Sequence, residues 1–368
     1  MTVVWLVVLA GLLIVQYLLL LTLMKVNWKQ VSNSPTFLPK VSILVAARNE
    51  EESLPRLLKS IGQLDYPADL LEILIADDQS SDQTASLVAD WASDFPNRRL
   101  ISIGSHQVGR YQTNGKANAL AIIAKEASGE FFFFTDADCE VPTSWIKDGV
   151  GSFEGEIGMV IGITQVKGVG FFAKMQELEW WNTLGIVKVV TDLNLPTTGL
   201  GNNMVISSVA YLACGGFESL RQSVTEDLEI SRSVRSAGYR LCHQVTEGFL
   251  VKTKAEKDLK SLLDQRKRWV TGAVTLSIPW KILLGLQFLF FPFVIALTIF
   301  HWQLGLLVWG LKVLFQSGFL RIFAGKARQK IGLFSLLFFD FYQIVGFSLT
   351  ILYYFWPSKV QWKSRSYP

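Results

Sequence analysis

The segment TDADCEVP, residues 135–142, sets Asp136 and Asp138 one residue apart directly behind the four phenylalanines of FFFF, residues 131–134. Carboxylates spaced this way on a tight turn can hold a hard divalent ion such as Mg2+ or Mn2+, which takes oxygen ligands and commonly bridges to substrate phosphates. The alternative is that Asp136 or Asp138 caps a helix beginning near Pro142. IADDQSSD repeats the layout, with Asp77 and Asp78 closing another apolar run. In SVTEDLEIS, residues 223–231, Asp227 has the chemistry of a general base for an incoming hydroxyl. There Ser223 with Glu226 equally reads as a capping box, with acids favoured in the first helical turn. TNGKANAL puts Lys116 at a helix start, where it either meets a phosphate or stands in solvent. LLDQRKRWVTG, residues 262–272, offers Gln265, Arg268 and Trp269 on adjacent helical turns. Arg268 suits a leaving diphosphate through a charge-assisted pair, and Trp269 suits stacking on a sugar or another flat apolar face. A basic helix with an indole just before an apolar segment is also a common membrane-interface anchor.

Positioning such residues needs a scaffold, and the chain between 40 and 275 supplies an alternating one. VSILVAA (41–47), EILIA (72–76), RLISI (99–103) and FFFFT (131–135) are short runs rich in apolar and β-branched residues, separated by segments of helical period at Glu51 to Leu64, Asp82 to Phe95 and Lys116 to Ala127. Alternation of this kind predicts an α/β fold with a mostly parallel central sheet. Parallel sheets bury both faces, so unbroken apolar runs are expected where a one-sided strand would alternate. The acids then fall just past the carboxyl ends of their strands, where open α/β sheets bind ligands in a crevice. GVGFFA (168–173), followed by Asp192, has the outline of a dinucleotide fingerprint. That motif is weak alone, and a dinucleotide site there would leave the acidic clusters without a task.

Half of the 368 residues are hydrophobic and the formal charge is +4, with basic residues gathered near apolar segments. This pattern points to a membrane surface and away from nucleic acid. Cys139, Cys214 and Cys242 are too few and too far apart for a disulfide framework or a cysteine zinc site, and His106, His243 and His301 are scattered. No charge interrupts Val3 to Met24, enough for a retained transmembrane anchor over 1–25. Lys25, Lys29 and Lys40 follow it, so the positive-inside rule places the domain over 40–275 in the cytoplasm. The region 276–357 fits two or three further spans. Three is preferred, because His301-Trp302-Gln303 offers a polar turn and the cluster Arg321, Lys326, Arg328 and Lys330 then lies on the cytoplasmic side. Lys312 weighs against it, at roughly 3 kcal/mol for a charge at mid-helix. Asp340 is a lone acid in the last apolar segment.

In order, AARNEE, ADDQSSDQT, GKANAL, TDADCEVP, GNNMVISSVAYLACGGF, TEDLEIS and QRKRW resemble the membrane-associated family 2 glycosyltransferases, the group with cellulose, chitin and hyaluronan synthases and ceramide glucosyltransferase. The resemblance covers roughly residues 40–275 and implies a GT-A fold that inverts the anomeric carbon of an α-linked nucleotide sugar, usually a UDP-sugar. It gives Glu50, Asp77 and Asp78 to the nucleoside, Asp136 and Asp138 to the ribose side and to Mg2+ or Mn2+ on the diphosphate, and Lys116 and Arg268 to the nucleotide sugar. It makes Asp227 the base and turns Gln265, Trp269 and Glu226 toward the acceptor. An apolar face around FFAKMQELEWW (171–181) would bring a lipid-borne acceptor to the membrane surface. Few spans follow the domain, and no F-x-V-T-x-K gating segment follows QRKRW. The expectation is therefore transfer to a membrane lipid or lipid-linked acceptor, with the catalytic domain on the cytoplasmic side of a bacterial inner membrane. A processive polysaccharide synthase, which with so few helices would need a homo-oligomer or an assembly partner, is the alternative. A non-catalytic nucleotide-sugar-binding protein is the second.

Overall fold

The structure, a computed structural model, describes residues 2–30, 35, 38–357, 360–362 and 365–367. An apolar helix, charged only at Lys25 in its last turn, opens the described chain, α1 (Thr2–Val26), and the predicted alternation follows: β1 (Val41–Ala47), α2 (Leu54–Ile61), β2 (Leu71–Asp77), α3 (Thr84–Ala92), β3 (Arg98–Ser102), α4 (Gly115–Ala124) and β4 (Phe131–Phe134). Shorter pieces come next, β5 (Cys139–Glu140), α5 (Trp145–Val150), β6 (Ile157–Ile161) and β7 (Ile163–Lys167), and then the long α6 (Phe171–Asp192). Beyond it lie β8 (Met204–Ser207), α7 (Ser208–Ala213), α8 (Glu226–Ser236), β9 (Arg240–His243) and β10 (Leu250–Lys254). Helices α9 (Leu259–Ala273), α10 (Ile278–Phe300), α11 (Trp302–Lys326) and α12 (Leu333–Phe355) precede two short strands, β11 (Val360–Trp362) and β12 (Arg365–Tyr367). The helix expected over 51–64 starts three residues later, because Ser53 and Leu54 donate back to the Glu50 carbonyl in a turn and Pro55 suits the first helical positions.

Two compact units result. Lys29–Lys167 and Val190–Ala255 form a sheet unit, while α1, Gly168–Val189 and the helices from Glu256 onward form a helical unit. Two segments inside 40–275, namely 168–189 and 256–275, therefore group with the apolar helices.

The main sheet has the order β3-β2-β1-β4-β8-β6-β9. It is mostly parallel, as expected, except that β8 runs antiparallel between β4 and β6. Ala47 pairs with Asp77, Leu44 with Phe134, and Phe134 with Met204, which brings the carboxyl ends of β1, β2 and β4 and the amino end of β8 to one edge. The phenylalanine run fills both faces. Phe133 packs edge-on to Trp145 on one side at 5.0 Å, and Phe134 edge-on to Phe217 on the other at 5.4 Å. Each buried ring contributes about 1.5–3 kcal/mol, so the strand carrying the D-x-D turn is firmly seated. A second sheet, β5-β10-β7, splits off after Gly162, where a Cβ would come within 2.1 Å of the Asn203 side chain. Only glycine permits that approach.

In the helical unit, α1, α10, α11 and α12 are long and apolar enough to cross a membrane by length and composition. Lys312 is not the unpaired charge its sequence position suggested. It is buried in an ion pair with Asp340, with side-chain exposures of 2% and 1%. Asp340 also accepts from Trp309 Nε1 at 2.5 Å, and Lys312 donates to Gln343 Oε1 at 3.2 Å. Gln316 extends the network, donating to Gln343 at 2.8 Å and to the Tyr17 hydroxyl at 2.9 Å. Polar groups at this depth are tolerable only when they satisfy one another. Asp340→Leu alone, which strands the ammonium, is expected to destabilise the protein by about 3–5 kcal/mol, whereas Lys312→Met with Asp340→Leu should lie much nearer the wild type. Thermal unfolding of the three proteins in detergent checks the order.

Candidate active site

The direction of winding reverses at β1, which has β2 on one side and β4 on the other. Such a switch point opens a crevice at the carboxyl ends of the strands. Asp77 ends β2, and the Asp78 N–H donates to the Ala47 carbonyl at 2.9 Å. Both acids are buried, at 7% and 2% exposure. The loops that follow β1 and β2 are stitched together. Asn49 N donates to Ser80 Oγ at 3.0 Å, Ser81 N to Asn49 Oδ1 at 2.9 Å, and Glu50 N to Thr84 Oγ1 at 2.8 Å. Asn49 and Gln79 adopt left-handed φ values of 51° and 58°, which fold each loop back on itself. Glu50 thereby joins Asp77 and Asp78 at the mouth of β1 and β2, with its carboxylate 3.7 Å from Lys254 Nζ.

Asp136 and Asp138 stand just past β4, and neither caps α5, whose N-cap is Ser144. Thr135 Oγ1 holds the turn by donating to the Asn202 carbonyl at 3.0 Å. Lys116 is not in solvent either. Asn114 caps α4, accepting from the N–H groups of Lys116 and Ala117, and Lys116 Nζ reaches Asp136 at 2.5 Å and Glu226 at 3.0 Å. The capping box expected from Ser223 and Glu226 does not form. Thr225 is the N-cap of α8, and the Glu226 carboxylate is turned to Lys116 and to the Asn114 amide at 3.1 Å. Asp227 accepts from Gly201 N at 3.2 Å and Leu228 N at 2.8 Å. Gly201 is the point of closest approach: a Cβ there would lie 3.0 Å from Lys116 Nζ, 3.4 Å from Glu226 Oε1 and 3.6 Å from Asp227 Cβ.

Asn114, Gly201 and Asn203 had no assigned role in the sequence reading. Asn203 ties the site to its scaffold, donating to the carbonyls of Ile163 and Phe249 and accepting from Trp145 Nε1 at 2.9 Å. GNN, residues 201–203, was the available signal, since adjacent glycine and asparagines before a strand suit close backbone approach and buried polar links.

The electrostatics are those of acids crowded around one ammonium. Burial lifts the Asp227 carboxyl to about 6, with Glu226 pushing the same way and Lys116 pulling against it. Burial also raises Asp136, Lys116 holds it down, and neighbouring Asp138 raises it again. Burial opposes the charge on Lys116, yet Asp136 and Glu226 raise its affinity for the proton overall. Asp136 and Glu226 thus share a single lysine with Asp227 close by, an excess of carboxylate that a divalent cation would offset. Among the described residues no three His, Cys, Asp or Glu side chains form a metal cage. Asp136 and Asp138 would supply only part of a coordination sphere, and their hard oxygens suit Mg2+ or Mn2+ with substrate phosphate completing it.

The residues of Q-x-x-R-W stand on α9 in the helical unit. Asp258 caps this helix, accepting from Ser261 N at 2.8 Å. Gln265 donates to Glu256 at 2.8 Å, Arg268 is half-buried, and Trp269 meets Trp180 of α6 edge-on at 5.5 Å. The apolar face expected over 171–181 is in part interior, since Trp181 is fully buried against Phe323 at 5.8 Å while Phe171 stays 53% exposed. GVGFFA follows β7 of the three-stranded sheet and not a strand of the main one, so it lacks the setting of a dinucleotide site.

A mostly parallel sheet with acids at its switch point and a D-x-D turn behind a central strand defines a glycosyltransferase of the GT-A type. The chain belongs to glycosyl transferase family 21, whose family model matches residues 3–368, and so to the membrane-associated GT-A enzymes of family 2 type. It is 27% identical over 248 residues to the β-monoglucosyldiacylglycerol synthase of Synechocystis, covering 64% of this chain and 48% of that protein. It is also 27% identical over 237 residues to the poly-β-1,6-N-acetyl-D-glucosamine synthase of Staphylococcus epidermidis, covering 63% and 54% respectively. The chain spans about half the length of these curated relatives. A mannosyltransferase from Pyrobaculum calidifontis, solved with GDP-mannose and Mn2+, shares the fold at a TM-score of 0.65 and 18% identity, over 97% of this chain and 99% of that one.

Proposed function

We propose that this protein transfers a sugar from a nucleotide sugar, a UDP-sugar, to a membrane lipid or lipid-linked acceptor at the cytoplasmic face of the membrane, with inversion at the anomeric carbon. The observation that carries the reading is the cluster in which Lys116 joins Asp136 to Glu226 while Asp227, lifted to about 6, stands beside them on Gly201. A base that titrates just below neutrality suits proton removal from an alcohol at physiological pH. Asp227 takes the proton of the acceptor hydroxyl, the acceptor oxygen bonds to the anomeric carbon, and the bond from that carbon to the diphosphate oxygen breaks. Glu50, Asp77 and Asp78 accept hydrogen bonds from the nucleoside. Lys116 and Arg268 pair with phosphate oxygens. Asp136 and Asp138 would hold Mg2+ or Mn2+, which would supply the remaining positive charge that the departing diphosphate requires. Gln265 and Trp269 serve the acceptor, and Glu226 acts on that side through the ammonium it holds.

A lipid acceptor is supported by the helices long enough to span a membrane and by the glucosyldiacylglycerol relative. The polysaccharide relative keeps processive synthesis as the second reading. The test is a panel of UDP- and GDP-sugars offered to the full chain in nanodiscs, with Mg2+, Mn2+ or chelator and a membrane lipid extract. Labelled sugar in the lipid phase, with release of one nucleoside diphosphate, is the expected result. A labelled polymer on a sizing gel would favour the second reading. Silence from every donor would leave a binding protein.

A further inference from the structure

Two basic side chains inside Q-R-K-R-W are buried, Arg266 at 7% exposure and Lys267 at 6%. Basic residues are seldom buried unless something pairs with them. Arg266 forms an ion pair with Glu179 of α6 and donates to the Tyr342 hydroxyl of α12 at 3.3 Å. Lys267 donates to the carbonyls of Tyr353 and Trp356 at 3.4 and 2.9 Å, at the end of α12 where the helix dipole favours a cation. The Tyr353 hydroxyl returns a bond to Asp264 of α9 at 2.6 Å. Helix α12 is itself registered on α11 by the Lys312–Asp340 pair, so α9 is fastened to elements that cannot readily turn.

Resting on the function proposed above, we infer that Arg266 and Lys267 are positioning residues that set the rotation of α9 and so aim Gln265, Arg268 and Trp269. The helical repeat carries the argument. Residues two apart point about 200° from each other around a helix, so Arg266 drawn onto Glu179 directs Arg268 to the opposite side. The guanidinium of Arg266 also lies 5.6 Å from the Trp269 ring, which Trp180 meets at 5.5 Å, so the same anchor confines the indole.

The full chain in nanodiscs, with Asp264→Cys and Tyr353→Cys joined by a short thiol cross-linker in place of their hydrogen bond, reads the α9 to α12 contact held by Arg266 and Lys267 independently of turnover. Arg266→Met and Lys267→Met are each expected to lower the cross-link yield at least about twofold and kcat about tenfold, leaving the donor KM nearly unchanged, the pattern of a group that acts on the transition state. The exchange of Glu179→Arg with Arg266→Glu should recover both readouts, which separates positioning from a failure to fold. Cross-link yields equal to the parent in both single variants, a rate loss without a cross-link change, or an exchange that recovers neither readout would overturn the inference. If the parent itself transfers no sugar, the cross-link arm still decides the placement of α9, and only the proposed reaction falls.

Discussion

Asp227→Asn is expected to lower sugar transfer by about 10²–10⁴-fold, the contribution usual for a positioned general base, while donor binding persists. Asparagine keeps the size of the side chain and an oxygen to accept from Gly201 N, so the local geometry survives. It loses the ability to take a proton. The wild type makes a further prediction through pH. Because burial and Glu226 raise Asp227 to about 6, kcat/KM should climb as pH rises through about 6 and level off above it, since the deprotonated form is the working one. Stability runs the other way. Folding raises this carboxyl above its unfolded value of about 3.9, so its contribution is full below that pH and is lost as pH climbs through about 6. Initial rates from pH 5 to 8 with the identified donor check the first trend and thermal melts the second. A rate profile flat down to pH 5 would remove Asp227 from the base role.

Asp138→Ala should cost roughly 10²–10³-fold in transfer, the loss seen when one element of charge stabilisation at a leaving group is removed. It is a cleaner probe than Asp136, whose carboxylate is also the Lys116 partner at 2.5 Å. Removing Asp136 would strip the ammonium of one of its two carboxylates and disturb the Glu226 side as well. Removing Asp138 leaves that pair intact and deletes one hard oxygen donor beyond β4. Titration of Mn2+ followed by electron paramagnetic resonance should show weakened binding in Asp138→Ala without any need for substrate. Unchanged Mn2+ affinity, or full turnover of the wild type in chelator, would sink the assignment of Asp136 and Asp138 to a metal.

Several features were legible because they are written in neighbouring residues. The runs VSILVAA and FFFF are apolar at every position but Ser42, which only a strand covered on both faces accommodates, and they became β1 and β4 of a sheet that is parallel at that point. The acids after β2 and β4 sit where they do because a parallel sheet opens its crevice at the carboxyl ends of its strands. The uncharged stretches were readable by length alone.

What escaped the sequence involves residues far apart in the chain. Asn114 and Glu226 meet across 112 positions, and Lys312 finds Asp340 across 28. No local period encodes either contact. Glu226 read as a capping residue because Ser223 stands three positions before it. The fold turned it to Lys116, whose buried ammonium needs carboxylate partners more than a helix end in contact with solvent needs a cap. The antiparallel course of β8, likewise, places Gly201 beside Asp227, although nothing in residues 201–207 states a direction. The sequence by itself determined β1 to β4, the apolar helices and the acids behind β2 and β4, since these follow from covalent geometry and local burial. The tertiary structure alone decided which acid meets the lysine, which is lifted toward neutrality, and which charges of the apolar helices cancel, because distance and desolvation set those energies and only the packed chain defines them.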